Sequence, residues 1–160
     1  MSTPATRLRM QAQRTMLTAE SASVVLEIGH QSVAERFFRH DPPAPGELES
    51  AIDAVEDALM SARVPRADPA TLVSSDDIRR LIPGLRPDGE ATTLDEVEAR
   101  FQRLASVSLG HPSTLADLPM GRESAAALLI LRECMHHLGF AGLVIEPLES
   151  PGDKAAGRAS

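Results

Sequence analysis

Three groups of side chains in this sequence are of types that do chemistry. Cys134, His136 and His137 stand together in "LRECMHHLGF". Glu133 and His137, four residues apart, share one face of a helix. Imidazole, thiolate and carboxylate so placed can ligate a transition metal, and a full site needs a further ligand such as His40, Asp41 or His111. The plainer reading is a helix C-terminus, where His is favoured by the dipole, beside a buried cysteine acting as a small hydrophobe. Asp76 and Asp77 are a carboxylate pair suited to acid–base work or to Mg²⁺. Ser74 and Ser75 just before them make a helix cap the competing explanation. Arg79, Arg80 and Arg86 have the donor geometry for phosphate or a nucleotide, or for a solvated turn. No Ser-x-x-Lys, Gly-x-Ser-x-Gly, Walker loop or Cys-x-x-Cys occurs.

The chain that must position these groups has 160 residues, enough for one domain with one core. Aromatic residues make up 2%, with no Trp and no Tyr, so there is no platform for stacking bases. The net charge of −7 disfavours a phosphate-backbone binder. No nucleic-acid partner is expected. A single cysteine excludes an intramolecular disulfide, and a reduced, cytoplasmic setting is expected. The N-terminus lacks the apolar run of a secretory signal. The longest apolar run, "SAAALLIL" from Ser124 to Leu131, is too short to span a bilayer, so no membrane partner is expected.

Periodicity assigns three long helices. "PGELESAIDAVEDALMSAR" has Pro45 in its first turn and an apolar stripe of Leu48, Ile52, Val55 and Leu59. "TTLDEVEARFQRLASVSLG" opens with Thr93 and Glu96 at capping-box spacing and stops at Gly110 and Pro112. "GRESAAALLILRECMHHLGF" is apolar nearly all round and ends at Gly139, so it is expected to be the most buried. "ASVVLEIGH", from Ala22 to His30, is β-branched and reads as a strand, although "TAES" before it could cap a helix. "RLRMQAQRTML" offers a preceding strand, "ATLV" a short strand before one or two helical turns, and "AGLVIEP" a buried strand. This order favours an α/β layer arrangement. Residues 1–6 and 148–160 are expected to be flexible ends of a single domain over 7–147. Val24, Val25, Ile28, Leu48, Ile52, Val55, Leu72, Leu104, Leu129, Ile130, Val144 and Ile145 are expected to form one core.

Two stretches resemble a known family. "VAERFFRHDPPAPGELESAI" is similar to the segment of exopolyphosphatases and guanosine-pentaphosphate phosphatases in which a Glu-Arg pair, an Asp-Pro-Pro turn and a Glu-Leu helix follow a glycine-ended strand. "TLDEVEARFQRLASVSLGHPSTLADLPMGRESAAALLILRECMHHLGFAGLVI" follows in the same order as that family's leucine-rich helix, Arg-containing connection, long helix of small and apolar residues, and short strand. The resemblance implies an actin-like, ribonuclease-H-like lobe, the second of the two in such a phosphatase, with a small sheet and three long helices. It assigns Arg36, Asp41, Pro42, Pro43 and Arg122 structural roles, the arginines pairing with Glu35, Asp41 or Glu123. Asp41-Pro42-Pro43 then serves as an elbow from a sheet strand into a helix.

The departures from the family carry the functional expectation. The family cradles polyphosphate in glycine-rich loops, where backbone N–H groups can reach phosphate because side chains are absent. This chain has no Gly-Gly pair, and "VSSDDIRRL" stands where the Gly-Gly-Thr loop belongs. Its 160 residues show no counterpart of the first lobe, which carries the family's catalytic glutamate. A binding or regulatory module is therefore expected, with Mg²⁺ needed only if the chain is catalytic. The alternatives are a phosphoric anhydride hydrolase completed by a partner or second subunit, and a metal-binding protein using Cys134, His136 and His137. A homodimer or protein partner is expected through apolar surface near Leu128, Leu131 and Met135.

Overall fold

The computed structural model describes residues 5–20, 22–64, 71–111 and 121–147. Its elements run β1 (Thr6–Met10), β2 (Thr15–Ala19), β3 (Ala22–Leu26), α1 (His30–Phe37), α2 (Pro45–Ser61), β4 (Thr71–Ser75), α3 (Asp77–Leu81), β5 (Ala91–Thr93), α4 (Leu94–Ser108), α5 (Arg122–Leu138) and β6 (Gly142–Glu146). One six-stranded sheet has the order β3-β2-β1-β4-β6-β5. The first three strands form an antiparallel meander, β1, β4 and β6 run parallel, and β5 closes the far edge antiparallel to β6. The α/β lobe with three long helices is thus present. No helix among the described residues is long and apolar enough to cross a membrane.

Pairing across the sheet puts Leu8 opposite Leu17, Leu17 opposite Val24, Leu72 opposite Leu143, and Ser74 opposite Ile145. Paired residues share a face, so these side chains line the face that the helices cover. The other face carries Arg7, Arg9, Met16, Thr18 and Val25, and there Arg7 bridges to Glu146 at 2.9 Å. Neighbouring strand residues point to opposite faces. Val24 and Val25 therefore cannot both enter one core, nor can Val144 and Ile145. Val25 is 43% exposed and Val144 half-buried, whereas Ile145 is buried, which corrects two of the expected core positions. Val24 and Ile52 pack at the core's margin, and the other expected members are buried within it.

Several boundaries also move. The expected strand over 22–30 stops at Leu26, and "RLRMQAQRTML" is two strands rather than one. Strand β1 starts at Thr6, fully buried, inside the expected N-terminal tail, while residues 1–4 and 148–160 lie outside the described residues. Helix α1 and strand β5 were not foreseen. The Asp41-Pro42-Pro43 elbow consequently joins two helices, not a strand to a helix.

Glu47 holds this elbow. Its carboxylate accepts hydrogen bonds from the backbone N–H groups of Ala44 at 2.9 Å, Arg39 at 3.0 Å and His40 at 3.3 Å, and meets the His40 ring at 3.1 Å. Ser108 at the end of α4 donates to the Pro43 carbonyl at 2.6 Å. The Asp41–Pro42 peptide is cis. Among the described residues, no ion pair joins Arg36 or Arg122 to Glu35, Asp41 or Glu123. Arg36 lies over the Phe37 ring at 5.0 Å, and Arg122 reaches the Phe38 carbonyl at 3.5 Å. Glu35 instead accepts from Gln31, and Glu123 meets His30.

Helix α5 is the hub, packing on α1, α2, α3 and α4. Leu128, Leu129, Ile130, Leu131 and Met135 are all at most 1% exposed. Each such burial contributes about 1.5–3 kcal/mol relative to an exposed side chain. This corrects the expected association surface: the apolar residues near Leu128, Leu131 and Met135 are spent inside the domain.

Candidate functional site

In open α/β sheets, ligands bind outside the carboxyl ends of the strands. Here the ends of β1 and β4 border a crevice of about 200 Å³ lined by Arg9, Met10, Gln11, Ser74, Ser75, Asp77 and Ile78. The turn between β1 and β2 reads Gln11-Ala12-Gln13-Arg14, and its backbone is already engaged. The Gln11 carbonyl accepts from His30 N at 3.2 Å; the Ala12 carbonyl accepts from Gln31 N at 2.9 Å and Ser32 N at 3.0 Å. The first free N–H groups of α1 are therefore satisfied by the chain itself rather than left for an anion. Gly29 permits this contact, since a Cβ there would lie 2.4 Å from the Gln11 carbonyl oxygen and 2.5 Å from that of Ala12.

Ser74 and Ser75, the last residues of β4, do not cap α3 as expected. Ser74 Oγ donates across the sheet to the Leu8 carbonyl at 2.9 Å, and the cap position falls to Asp76, which makes no side-chain cap bond. Asp76 pairs with Arg79, leaving Asp77 at the crevice.

The three candidate arginines separate. Arg79 also binds Asp88 at 2.6 Å and the Arg86 carbonyl at 2.9 Å. Arg86 forks onto Glu96 at 3.1 and 3.3 Å. The hydrogen bond from Arg86 holds the Glu96 carboxyl below its usual range, and the same pair raises the guanidinium. Both arginines, with Arg100 on the Pro83 and Gly84 carbonyls, knit the segment between α3 and α4. Arg80 instead lines a cleft of about 520 Å³ between α1, α3 and the start of α5, together with Arg122, Glu35, Glu123 and Gln31. Two guanidinium groups face two carboxylates there, a mixed-charge lining.

The expected metal set is also rearranged. Cys134 is fully buried, and burial pushes its thiol up to about 12, so it is an inert core residue. His136 is exposed and meets His137 edge-on. His40 is held by Glu47. His137 points its Nε2 at Glu133 Oε2, 3.3 Å away, and at Glu56 Oε1 on α2, 3.2 Å away. The Glu133–His137 spacing was visible in the sequence. Glu56 was not, because only the packing of α2 on α5 brings it there.

Glu133 is 1% exposed. Arg132 donates to its Oε1 at 2.7 Å, while Oε2 has no hydrogen-bond partner among the described residues. Burial pushes its carboxyl above the usual range, against the pull of Arg132 and with Glu56 adding to the rise. Arg132 is shared with Glu98 at 3.0 Å and lies over the Phe101 ring at 4.5 Å.

No family model and no curated protein matches this sequence. Solved structures do match its fold. The Ppx/GppA phosphatase of Aquifex aeolicus, in its type II variant, aligns with a TM-score of 0.69 at 16% identity over 92% of this chain. Another structure of the Aquifex aeolicus family member aligns with a TM-score of 0.68 at 15% identity over 98%. An exopolyphosphatase-like protein gives 0.69 at 12% identity over 90%. The alignments cover 54%, 56% and 54% of those proteins, so the chain spans about half the length of the structures it matches. These alignments show that this chain has the α/β fold found in about half of the length of the Ppx/GppA phosphatase structures.

Proposed function

We propose that this chain acts as a binding or regulatory module built on the exopolyphosphatase-type lobe, and does not by itself hydrolyse polyphosphate. The observation that carries this reading is the crevice at the ends of β1 and β4. Gln11, Ser75 and Asp77 are among the residues that line it, and no glycine is among its described lining residues. A polyphosphate there would meet a carboxylate where phosphoryl transfer needs positioned donors and a metal. Arg9 is the one cation among the described lining residues. The larger cleft bordered by Arg80 and Arg122 has the volume of a small-molecule site and is the preferred place for a ligand carrying both charge signs. The test is release of inorganic phosphate from polyphosphate by the pure chain with Mg²⁺ present. The expected result is no turnover above buffer, and steady multiple turnover would overturn the reading.

A second reading is favoured by the coverage of about half of each matched structure. In it, a partner or a second copy supplies the remainder of a hydrolytic cleft. Phosphate release that rises with the square of chain concentration, or only on adding a second lobe, would favour this reading over the first.

A further inference from the structure

We propose that Glu56, Glu133 and His137 form a binding site for a single divalent transition-metal ion, of the Zn²⁺ or Mn²⁺ class, at the seam between α2 and α5. The three ligand atoms lie within 4.8 Å of one another. His137 Nε2 stands 3.2 Å from Glu56 Oε1 and 3.3 Å from Glu133 Oε2. Ligands about 2.0–2.2 Å from one ion are roughly 3.0–3.6 Å apart, so this spacing is that of neighbouring ligands on a common metal.

A separate observation points the same way. Glu133 Oε2 is buried and has no hydrogen-bond partner among the described residues, His137 Nε2 standing 3.3 Å from it, although its partner oxygen is fixed by Arg132. A carboxylate oxygen so placed costs free energy unless a cation faces it. The surrounding charge fits a dication. In the ion pairs of the described residues here, the three carboxylates of Glu56, Glu133 and Glu98 meet one guanidinium, that of Arg132, so these four groups carry two negative charges in excess. Arg132 then acts as an outer-shell group that sets the orientation of Glu133. One imidazole and two carboxylates, arriving from two helices, favour a borderline ion over Mg²⁺, which prefers an oxygen shell with retained waters. The 29% exposure of the His137 side chain and 37% of Glu56 leave the outer side of the site open to water.

The experiment uses the full chain, prepared without a polyhistidine tag and stripped with a chelator, and titrated calorimetrically with Zn²⁺, Mn²⁺ and Mg²⁺ separately. Expected are one equivalent of Zn²⁺, weaker Mn²⁺, no saturable Mg²⁺, and a melting temperature that climbs with Zn²⁺ concentration. His137→Ala and Glu133→Gln should each lower Zn²⁺ affinity about tenfold or more, while His136→Ala leaves it unchanged. Loading with Co²⁺ should give visible absorption that His137→Ala abolishes. Should Glu133→Gln fail to fold, Glu56→Gln and His137→Ala alter part-exposed side chains and carry the same test. Absence of a one-equivalent isotherm in the wild type overturns the proposal. So does wild-type affinity in His137→Ala, or a nitrogen-15 spectrum in which His137 Nε2 keeps its proton at saturating Zn²⁺.

Discussion

The elbow between α1 and α2 and the seam between α2 and α5 each withdraw one glutamate from water, with opposite outcomes. Glu47 is 15% exposed and Glu133 1%. Burial pushes both carboxyls up. At Glu47 that push is outweighed by the backbone N–H groups of Ala44 and Arg39 and by the ring and N–H of His40, which bring it down to about 2. At Glu133 it prevails over the pull of Arg132, with Glu56 adding to the rise, and Oε2 has no hydrogen-bond partner among the described residues. Burial alone therefore does not fix the charge state of a carboxylate; the number of donors aimed at it does. The elbow is a finished structural device. The seam is left incomplete, which is the mark of a site.

The comparison breaks most severely where a carboxylate is buried with no donors at all. Leu131→Glu places one in the middle of α5, where the native side chain is fully buried. A loss of more than about 4 kcal/mol is expected, enough to unfold the domain. Urea unfolding followed by circular dichroism checks this, and a folded, monodisperse variant would restore α5 as an association surface. Glu47→Ala comes next. It leaves the N–H groups of Arg39, His40 and Ala44 without their acceptor, a cost of about 1–2 kcal/mol after rescue by water at this partly open site. Glu133→Gln should be the mildest. With chelator present at neutral pH, its stability should lie within about 1 kcal/mol of the wild type, or above it, because the amide removes an under-satisfied buried charge and can donate toward Glu56. A loss like that of Glu47→Ala would mean that Glu133 has a full complement of donors, and the contrast between the two regions would fall.

The sequence made the long helices legible because each carries its own signals. Pro45 occupies the first turn of α2, Thr93 accepts from Glu96 N at 3.1 Å, and Gly139 takes the left-handed conformation at φ 75° after α5. Helix α1 was hidden because only Val33 and Ala34 along it are buried; it is held by α5 and by the β1–β2 turn, neither of which is local. Strand β5 is three residues long, too short for an alternation to show. The paired core assignments at Val24–Val25 and Val144–Ile145 failed because apolar character alone cannot say which face of a sheet is covered. At the seam, Glu133 and His137 could be read from a four-residue spacing. Glu56 could not, since helix packing is a tertiary fact. Arg79 and Arg86 had the right chemistry for an anion, but Asp88 and Glu96 reach them first.

The smallest effect is a slope, and it sharpens the comparison by assigning the acid limb of stability to one glutamate. Glu47 has its carboxyl lowered from 4.5 to about 2. The folded state therefore favours its ionised form over the unfolded state. That contribution is complete above about pH 4.5 and is lost as the pH falls through the folded value near 2. Wild-type urea midpoints should drop across this window, beyond the drop that other carboxylates impose. In Glu47→Gln the drop should be shallower, starting from a lower plateau at neutral pH, since the amide oxygen accepts from fewer of the three N–H groups. Glu133→Gln should keep the full wild-type acid limb, because the charged form of Glu133 is not what folding favours there. The measurement is a set of midpoints for the three proteins across that window under one ionic strength. Parallel curves for the wild type and Glu47→Gln would remove the elbow carboxylate as a source of acid sensitivity, and with it the claim that donor number separates these two glutamates.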